Sequence, residues 1–370
     1  MKVGLFYEWP NPELRDWKRV FDESIEEIQL AESLGFDFIL VAEHHFSNYG
    51  MSPSPLLQAL AIAERTKTIK IGTGVLVLPV WQPLRLAEEV AVLDNLTGGR
   101  FICGIGRGYQ SHEFGRFGVT GDDSRARFNE CLDIMLEAWT NEGSFTYEGQ
   151  YNQVPGGVTV WPKPLQKPYP PMWIAGTSAD TLKLAAERDM APIISGYTAA
   201  AGVSEAVATL LPLRQAAGRS TDTWELGIQT ITMVTDTEAE AREALRYARW
   251  QNRANRSLGR SDVVDGSANA IPYEGEPTDE RFWDMLYYGN PDRVIEKYTA
   301  IGEAGATFIS SWMMLGGVPH EKIMRSIELM GREVLPAIRD VKPRAGLAAE
   351  MLQRAVPADG VQRLGPPPAD

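Results

Sequence analysis

A chain of 370 residues, 44% of them hydrophobic, can bury one large core or two ordinary ones. Its formal net charge of -13 and pI near 5.0 set its field against phosphate backbones and anionic lipid, which excludes non-specific nucleic-acid and membrane-surface binding. Two cysteines, Cys103 and Cys131, are too few for a disulfide framework or a cysteine-based zinc site; the apolar N-terminus is broken at Glu8 and Pro10; and no stretch reaches the ~18 apolar residues of a membrane span, so a cytoplasmic protein is expected.

Short β-branched or aromatic runs alternate with longer amphipathic stretches, the pattern of parallel βαβ units. Strands are predicted at Val3–Tyr7, Phe38–Ala42, Lys70–Leu78, Phe101–Gly104, Met172–Ala175, Pro192–Ser195, Leu226–Val234 and Thr307–Met313. Helices are predicted at Trp17–Leu34, Pro55–Arg65, Pro83–Leu96, Ser124–Trp139, Ala179–Glu187, Ser204–Ala216, Glu238–Asn252, Pro291–Ala304 and Glu321–Arg339. Eight strands with intervening helices predict an α/β fold, a closed (β/α)8 TIM barrel, with an open doubly wound sheet as the alternative. Two segments exceed the length of a barrel loop. Asn141–Pro171, after strand 4 and its helix, reads as an irregular excursion or small hairpin. Arg253–Gly289 is polar and falls between strands 7 and 8, where it is either an active-site lid or a plain surface insertion. Residues 1–340 are expected to form one domain, and 341–370, ending in "GPPPAD", a partly flexible tail.

Strand 2 runs into Glu43, His44 and His45 at the end on which barrels build their active sites. Neighbouring strand residues point to opposite faces, so at most one of the two histidines is central. The other histidines, His112 and His320, lack an i, i+4 partner or a carboxylate triad, and no metal site is expected. In strand 3, Gly72 and Gly74 mark a bulge or a close backbone approach. In "GGRFICGIGRGYQ", Tyr109 stands where a dinucleotide fingerprint needs its third glycine. What remains is Gly104, Gly106 and Gly108 at the end of strand 4, with Arg107 as a fixed positive charge that either meets a phosphate or pairs with a carboxylate such as Glu113. Arg125 opens the next helix in "DDSRARF". After strand 5, Gly176, Thr177, Ser178 and Thr181 lead into a helix, where hydroxyls act as caps or hold a phosphate.

Taken together and in order, "GFDFILVAEHHF", "IGTGVLVLP", "RLAEEVAVLDNLTGGRFICGIGRG", "DDSRARF" and "MWIAGTSADTLKLAAERDMAPIISG" resemble the bacterial luciferase-like family of flavin-dependent monooxygenases over residues 1 to 340. The resemblance implies a (β/α)8 barrel, commonly dimeric, that takes reduced FMN from a separate flavin reductase and uses O2, through a C4a-(hydro)peroxyflavin, to oxygenate a small organic substrate. It also implies His44 as the active-site acid/base, Arg107, Ser178 and Thr181 on the FMN phosphate with Thr177 and Arg125 beside them, and Gly74, Val75 and Gly106 along the isoalloxazine. A non-prolyl cis peptide between Gly74 and Val75 belongs to the same expectation. Gly106 and Thr177 replace a cysteine and an acidic residue of the luciferase catalytic subunit, and the lid segment diverges, so the implied substrate is a different, apolar one and no light is expected. The alternatives are an F420-dependent dehydrogenase of the same superfamily and a non-catalytic flavin-binding subunit. If the protein is a homodimer, the helix "LRLAEEVAVLDNL" is a candidate interface.

Overall fold

The computed structural model describes residues 1–195 and 197–354. Eight parallel strands form its centre: β1 (Lys2–Tyr7), β2 (Phe38–Val41), β3 (Lys70–Thr73, resumed at Leu76–Val77), β4 (Phe101–Gly106), β5 (Met172–Ala175), β6 (Ala191–Ile194), β7 (Gly227–Val234) and β8 (Phe308–Trp312). They pair in chain order, and β8 returns to β1 with Gly4 opposite Ser310, so the sheet closes into a (β/α)8 barrel. The helices are α1 (Trp17–Ser33), α2 (Pro55–Ala63), α3 (Pro83–Leu96), α4 (Ser111–Phe117), α5 (Ser124–Thr140), α6 (Ala179–Arg188), α7 (Ala200–Ala216), α8 (Glu238–Gly259), α9 (Asp279–Met285), α10 (Pro291–Glu303) and α11 (His320–Leu329). Among the described residues no helix is long and apolar enough to cross a membrane.

Strand alternation divides the apolar residues into two cores. Odd positions of β1 and β2, such as Val3, Leu5, Ile39 and Val41, face the helices. Phe6, Phe38, Leu40, Ala42, Ile102, Trp173, Ile193 and Phe308 fill the barrel itself. Trp173 stacks on Phe308 at 4.1 Å between centroids, and Phe38 meets Trp173 edge-on at 5.0 Å. Room for this plug comes from glycine on the neighbouring strands. A Cβ at Gly4 would lie 2.2 Å from the Phe38 ring, and one at Gly227 would lie 2.1 Å from the Phe308 ring.

Several boundaries differ from the sequence reading. β3 is interrupted at Gly74 and Val75, which are joined by a cis peptide. The first insertion holds the expected hairpin, Phe145–Glu148 paired with Gln153–Val158. Helix α8 continues to Gly259 rather than ending at Asn252, because Tyr247, Ala248, Gln251, Ala254 and Leu258 extend one buried face. The second insertion therefore begins as helix, then forms a two-residue-per-strand hairpin at 263–268 and helix α9, and ends with Tyr287–Gly289 alongside β7. The final predicted helix breaks into α11, a π turn at Met330–Val334 and Leu335–Ile338; Pro336, lacking an N–H, cannot continue the ladder. Of the tail, Leu347–Gln353 is helical with Leu347 and Met351 buried, and residues 355–370 lie outside the described residues.

The plug makes a stability prediction. Phe308→Ala empties the centre and is expected to cost about 3–5 kcal/mol, while Gly227→Ala overpacks it at about 1–3 kcal/mol. Urea denaturation of both variants checks the pair; wild-type stability in Gly227→Ala would contradict the tight approach.

Candidate active site

Beyond β2 the chain turns into loop, and its two histidines diverge. His44 Nδ1 lies 2.8 Å from Glu113 Oε1 on α4, and its Nε2 lies 3.6 Å from Glu8 Oε1 at the end of β1. His45 turns the other way, its Nε2 3.0 Å from Glu43 Oε1. Glu43 in turn accepts from the Val77 amide at 2.7 Å and from Trp81 Nε1 at 2.9 Å, so the second histidine braces the β2 and β3 ends. One bond links the pair: Glu113 Oε1 also accepts the His45 backbone N–H at 3.0 Å. The edge of Tyr49 closes over His44, with ring centroids 4.9 Å apart.

These contacts set the charges. Burial opposes an imidazolium at His44, but Glu113 and Glu8 outweigh it and raise the His44 pKa to about 9. Burial likewise works against a charged Glu113, yet His44 and the His45 amide hold its carboxyl below the ordinary range. Glu8 has less support, and burial pushes it up to about 7 despite His44. The result is a buried acid–base relay of carboxylate, imidazolium and a carboxyl poised near neutrality, on the face of a barrel where chemistry is done.

A second group of polar residues gathers on the adjacent strands β4 and β5, registered with Ile105 opposite Ile174. Arg107 follows β4 and donates from Nη1 to Ser124 Oγ at 3.0 Å, which ties it to the start of α5 beside Arg125. Glu113, the carboxylate that the sequence reading offered to Arg107, meets His44 and the His45 amide through Oε1. Ser178 caps α6, accepting the Thr181 amide at 3.3 Å and lying 2.9 Å from the Thr181 hydroxyl, with half-buried Thr177 preceding it. Arg107 and Arg125 thus lie at the end of β4 and the start of α5, and Thr177, Ser178 and Thr181 at the start of α6 after the paired strand β5.

The glycines of β3 and β4 have a more local cause than ligand approach. A Cβ at Gly104 would meet the Thr73 carbonyl at 1.8 Å, and one at Gly106 would meet Val75 Cγ2 at 2.6 Å. These residues let the interrupted strand pass close to β4; Gly74 is crowded by Leu40 in the same way, its Cβ 3.0 Å from that of Leu40. Over the mouth lies the second insertion. Asn48 donates its amide to the Gly266 carbonyl at 2.7 Å and accepts from the Ala268 amide at 2.9 Å, while Gln110 and Tyr109 both reach Asn255. Tyr49, Ala254 and Leu258 pack there with Trp250 and Trp312.

Sequence reasoning singled out His44 but not Glu8, Glu43 or Tyr49, and it offered Glu113 only as a partner for Arg107. For Glu8 a signal existed: Gly4, Phe6 and Glu8 share one strand face, so a face that fills the barrel with apolar groups ends in an acid. The remaining histidines are bound elsewhere, His112 near the Phe46 carbonyl and His320 to Glu27 at 2.8 Å. No cluster of three His, Cys, Asp or Glu able to hold a metal occurs among the described residues.

The closed parallel barrel carries a buried histidine–carboxylate cluster at the C-terminal ends of its strands, with arginine and hydroxyl side chains on the neighbouring β4 and β5 ends. The chain belongs to the luciferase-like monooxygenase family, whose profile matches residues 1–307. The oxygenase component of the flavin-dependent trigonelline monooxygenase of Acinetobacter baylyi is 28% identical over 88% of this chain and 92% of its own. An alkanal monooxygenase alpha chain from the Kryptophanaron alfredi symbiont is 34% identical over 53% of this chain and 54% of its own. The crystal structure of monooxygenase RslO1 from Streptomyces bottropensis matches with a TM-score of 0.80 at 27% identity, covering 91% of this chain and 99% of that one.

The relay predicts an abnormal histidine. In an NMR titration His44 is expected to keep its proton well above the ordinary midpoint of about 6.5 and lose it near pH 9. Glu113→Gln removes the closest negative charge and should lower that midpoint; an unchanged value would contradict the assignment.

Proposed function

We propose that the protein is the oxygenase of a two-component system, which takes reduced FMN from a separate flavin reductase and uses O2 to oxygenate a small, apolar organic substrate. The carrying observation is the juxtaposition at one barrel mouth of the phosphate-type donor set on β4, α5 and α6 with the His44 relay on β2. Arg107, Ser178 and Thr181 hold the FMN phosphate, with Thr177 and Arg125 beside them, and Gly74, Val75 and Gly106 line the ring. The donor set fits the group in charge and valence: a phosphate offers only acceptors at neutral pH, and these residues offer donors.

Reduced flavin, when bound, supplies the activation of oxygen. His44 holds a proton at Nε2 for delivery to an oxygen anion, and Glu113 fixes its ring and charge. The segment 255–268 covers the mouth and keeps water from the reacting atoms. The oxygenase-component relative supports the need for a reductase. A homodimer belongs to the same reading, supported by exposed Leu57 on α2 with Val92 and Leu96 on the neighbouring α3.

Anaerobic titration tests the cofactor. Reduced FMN is expected to bind in preference to F420, and Arg107→Ala to weaken it about 10- to 100-fold, the worth of a charged hydrogen bond. Preference for F420 would overturn the reading in favour of a dehydrogenase. Once a substrate is found by incorporation of labelled oxygen, His44→Ala should slow its turnover by roughly 10²- to 10⁴-fold; undiminished turnover would remove His44 from the chemistry.

A further inference from the structure

Glu8 occupies a place where packing asks for a hydrocarbon. Its side chain follows Gly4 and Phe6 on the barrel face of β1, and it is 1% exposed. Gly50 closes over it; a Cβ there would come within 2.7 Å of Glu8 Cγ. The carboxyl is thereby confined against His44 Nε2 at 3.6 Å, with Gln251 Nε2 at 3.5 Å from the same oxygen. On the other side of the ring Glu113 makes a 2.8 Å bond. One contact is tight enough to fix the imidazole, and the other is long enough to open and close with small displacements.

Resting on the monooxygenase reading, we infer that Glu8 is the second proton-carrying group of the site, exchanging a proton with Nε2 of His44 while the covered mouth excludes water. When His44 gives its Nε2 proton to the reacting oxygen, the O–H bond of protonated Glu8 breaks and a new Nε2–H bond forms, Glu8 is left a carboxylate, Glu113 stays a carboxylate, and no electrons change hands between the two residues. His44 is thereby recharged from Glu8. Glu8 acts through His44 and is a positioning residue in this sense. The other titratable or polar groups around the pair are Glu113 on α4, Glu43 and His45 at the end of β2, Tyr49 in the following loop, Tyr109 beyond β4 and Gln251 on α8. Among the described residues, Glu8 alone combines burial, proximity to Nε2 at 3.6 Å and a midpoint brought to about 7.

The test uses the full-length protein with isotope-labelled histidine rings and glutamate carboxyls. In wild type, the Glu8 carboxyl is expected to titrate far above the usual range near 4.3. In Glu8→Gln, which keeps shape and removes the charge, the His44 midpoint should fall by about one pH unit or more. Glu8→Asp should restore part of that fall. An ordinary Glu8 midpoint in wild type, a reading that needs no variant to fold, overturns the inference, and so does an unmoved His44 in folded Glu8→Gln. With reduced FMN bound, the pH profile of oxygen uptake should move in Glu8→Gln while FMN affinity stays within a few fold. Failure of wild type to bind FMN would instead strike the functional reading, since both titrations are made without cofactor.

Discussion

A charged imidazole buried between two carboxylates is the constraint on which the arrangement depends. Removing His44 from water is unfavourable by several kcal/mol for an isolated ion, and only close opposite charge with hydrogen bonds offsets it. The chain supplies these from three separate places: the end of β1, the turn after β2 and the short helix α4. Their convergence requires the closed barrel. Glu8 and His44 are neighbours because β1 and β2 pair in register, Phe6 opposite Leu40. Glu113 arrives because α4 begins five residues after β4 ends.

Beneath the relay, the aromatic plug of Phe38, Trp173 and Phe308 makes the floor rigid, and glycine on the flanking strands leaves it space. Above the relay, the insertion between β7 and β8 is anchored through Asn48 and Asn255 to the two loops that carry the site. Polar groups that would be weak in water gain strength between these two layers, because both sides lower the local dielectric. The proposed phosphate site sits to one side, on the more open ends of β4, α5 and α6. A ligand spanning the two regions would be held by its charged end and presented to His44 by its other.

Much of this was legible from local pattern. Short β-branched or aromatic runs alternating with amphipathic stretches identified all eight barrel strands, and the N-capping Ser178 and the Pro-initiated α2, α3 and α10 marked helix starts. Alternation led to the expectation that at most one of His44 and His45 is central, but β2 ends at Val41, and the two rings diverge because Glu113 holds one and Glu43 the other. What stayed hidden depended on contacts distant in sequence. Glu113 stands 69 residues from His44, and nothing in its own neighbourhood distinguishes a carboxylate that meets His44 from one that meets Arg107. Glu43 looked like an ordinary strand-end acid until Trp81 and the Val77 amide came round to it. The glycines of β3 were marked as a bulge or a close approach, and the groups that approach them are the chain's own Ile102 and Leu40, while those of β4 make room for Thr73 and Val75. The overlong α8 was readable from its buried face and was cut short by the polar residues between.

The most direct test of the whole account is a crystal structure of the protein grown with FMN. The account predicts the phosphate against Arg107, Ser178 and Thr181, and the isoalloxazine against Gly74, Val75 and Gly106 with His44 facing it. A flavin bound elsewhere, or bound at this mouth with its phosphate away from Arg107 and the α6 N-terminus, would contradict it.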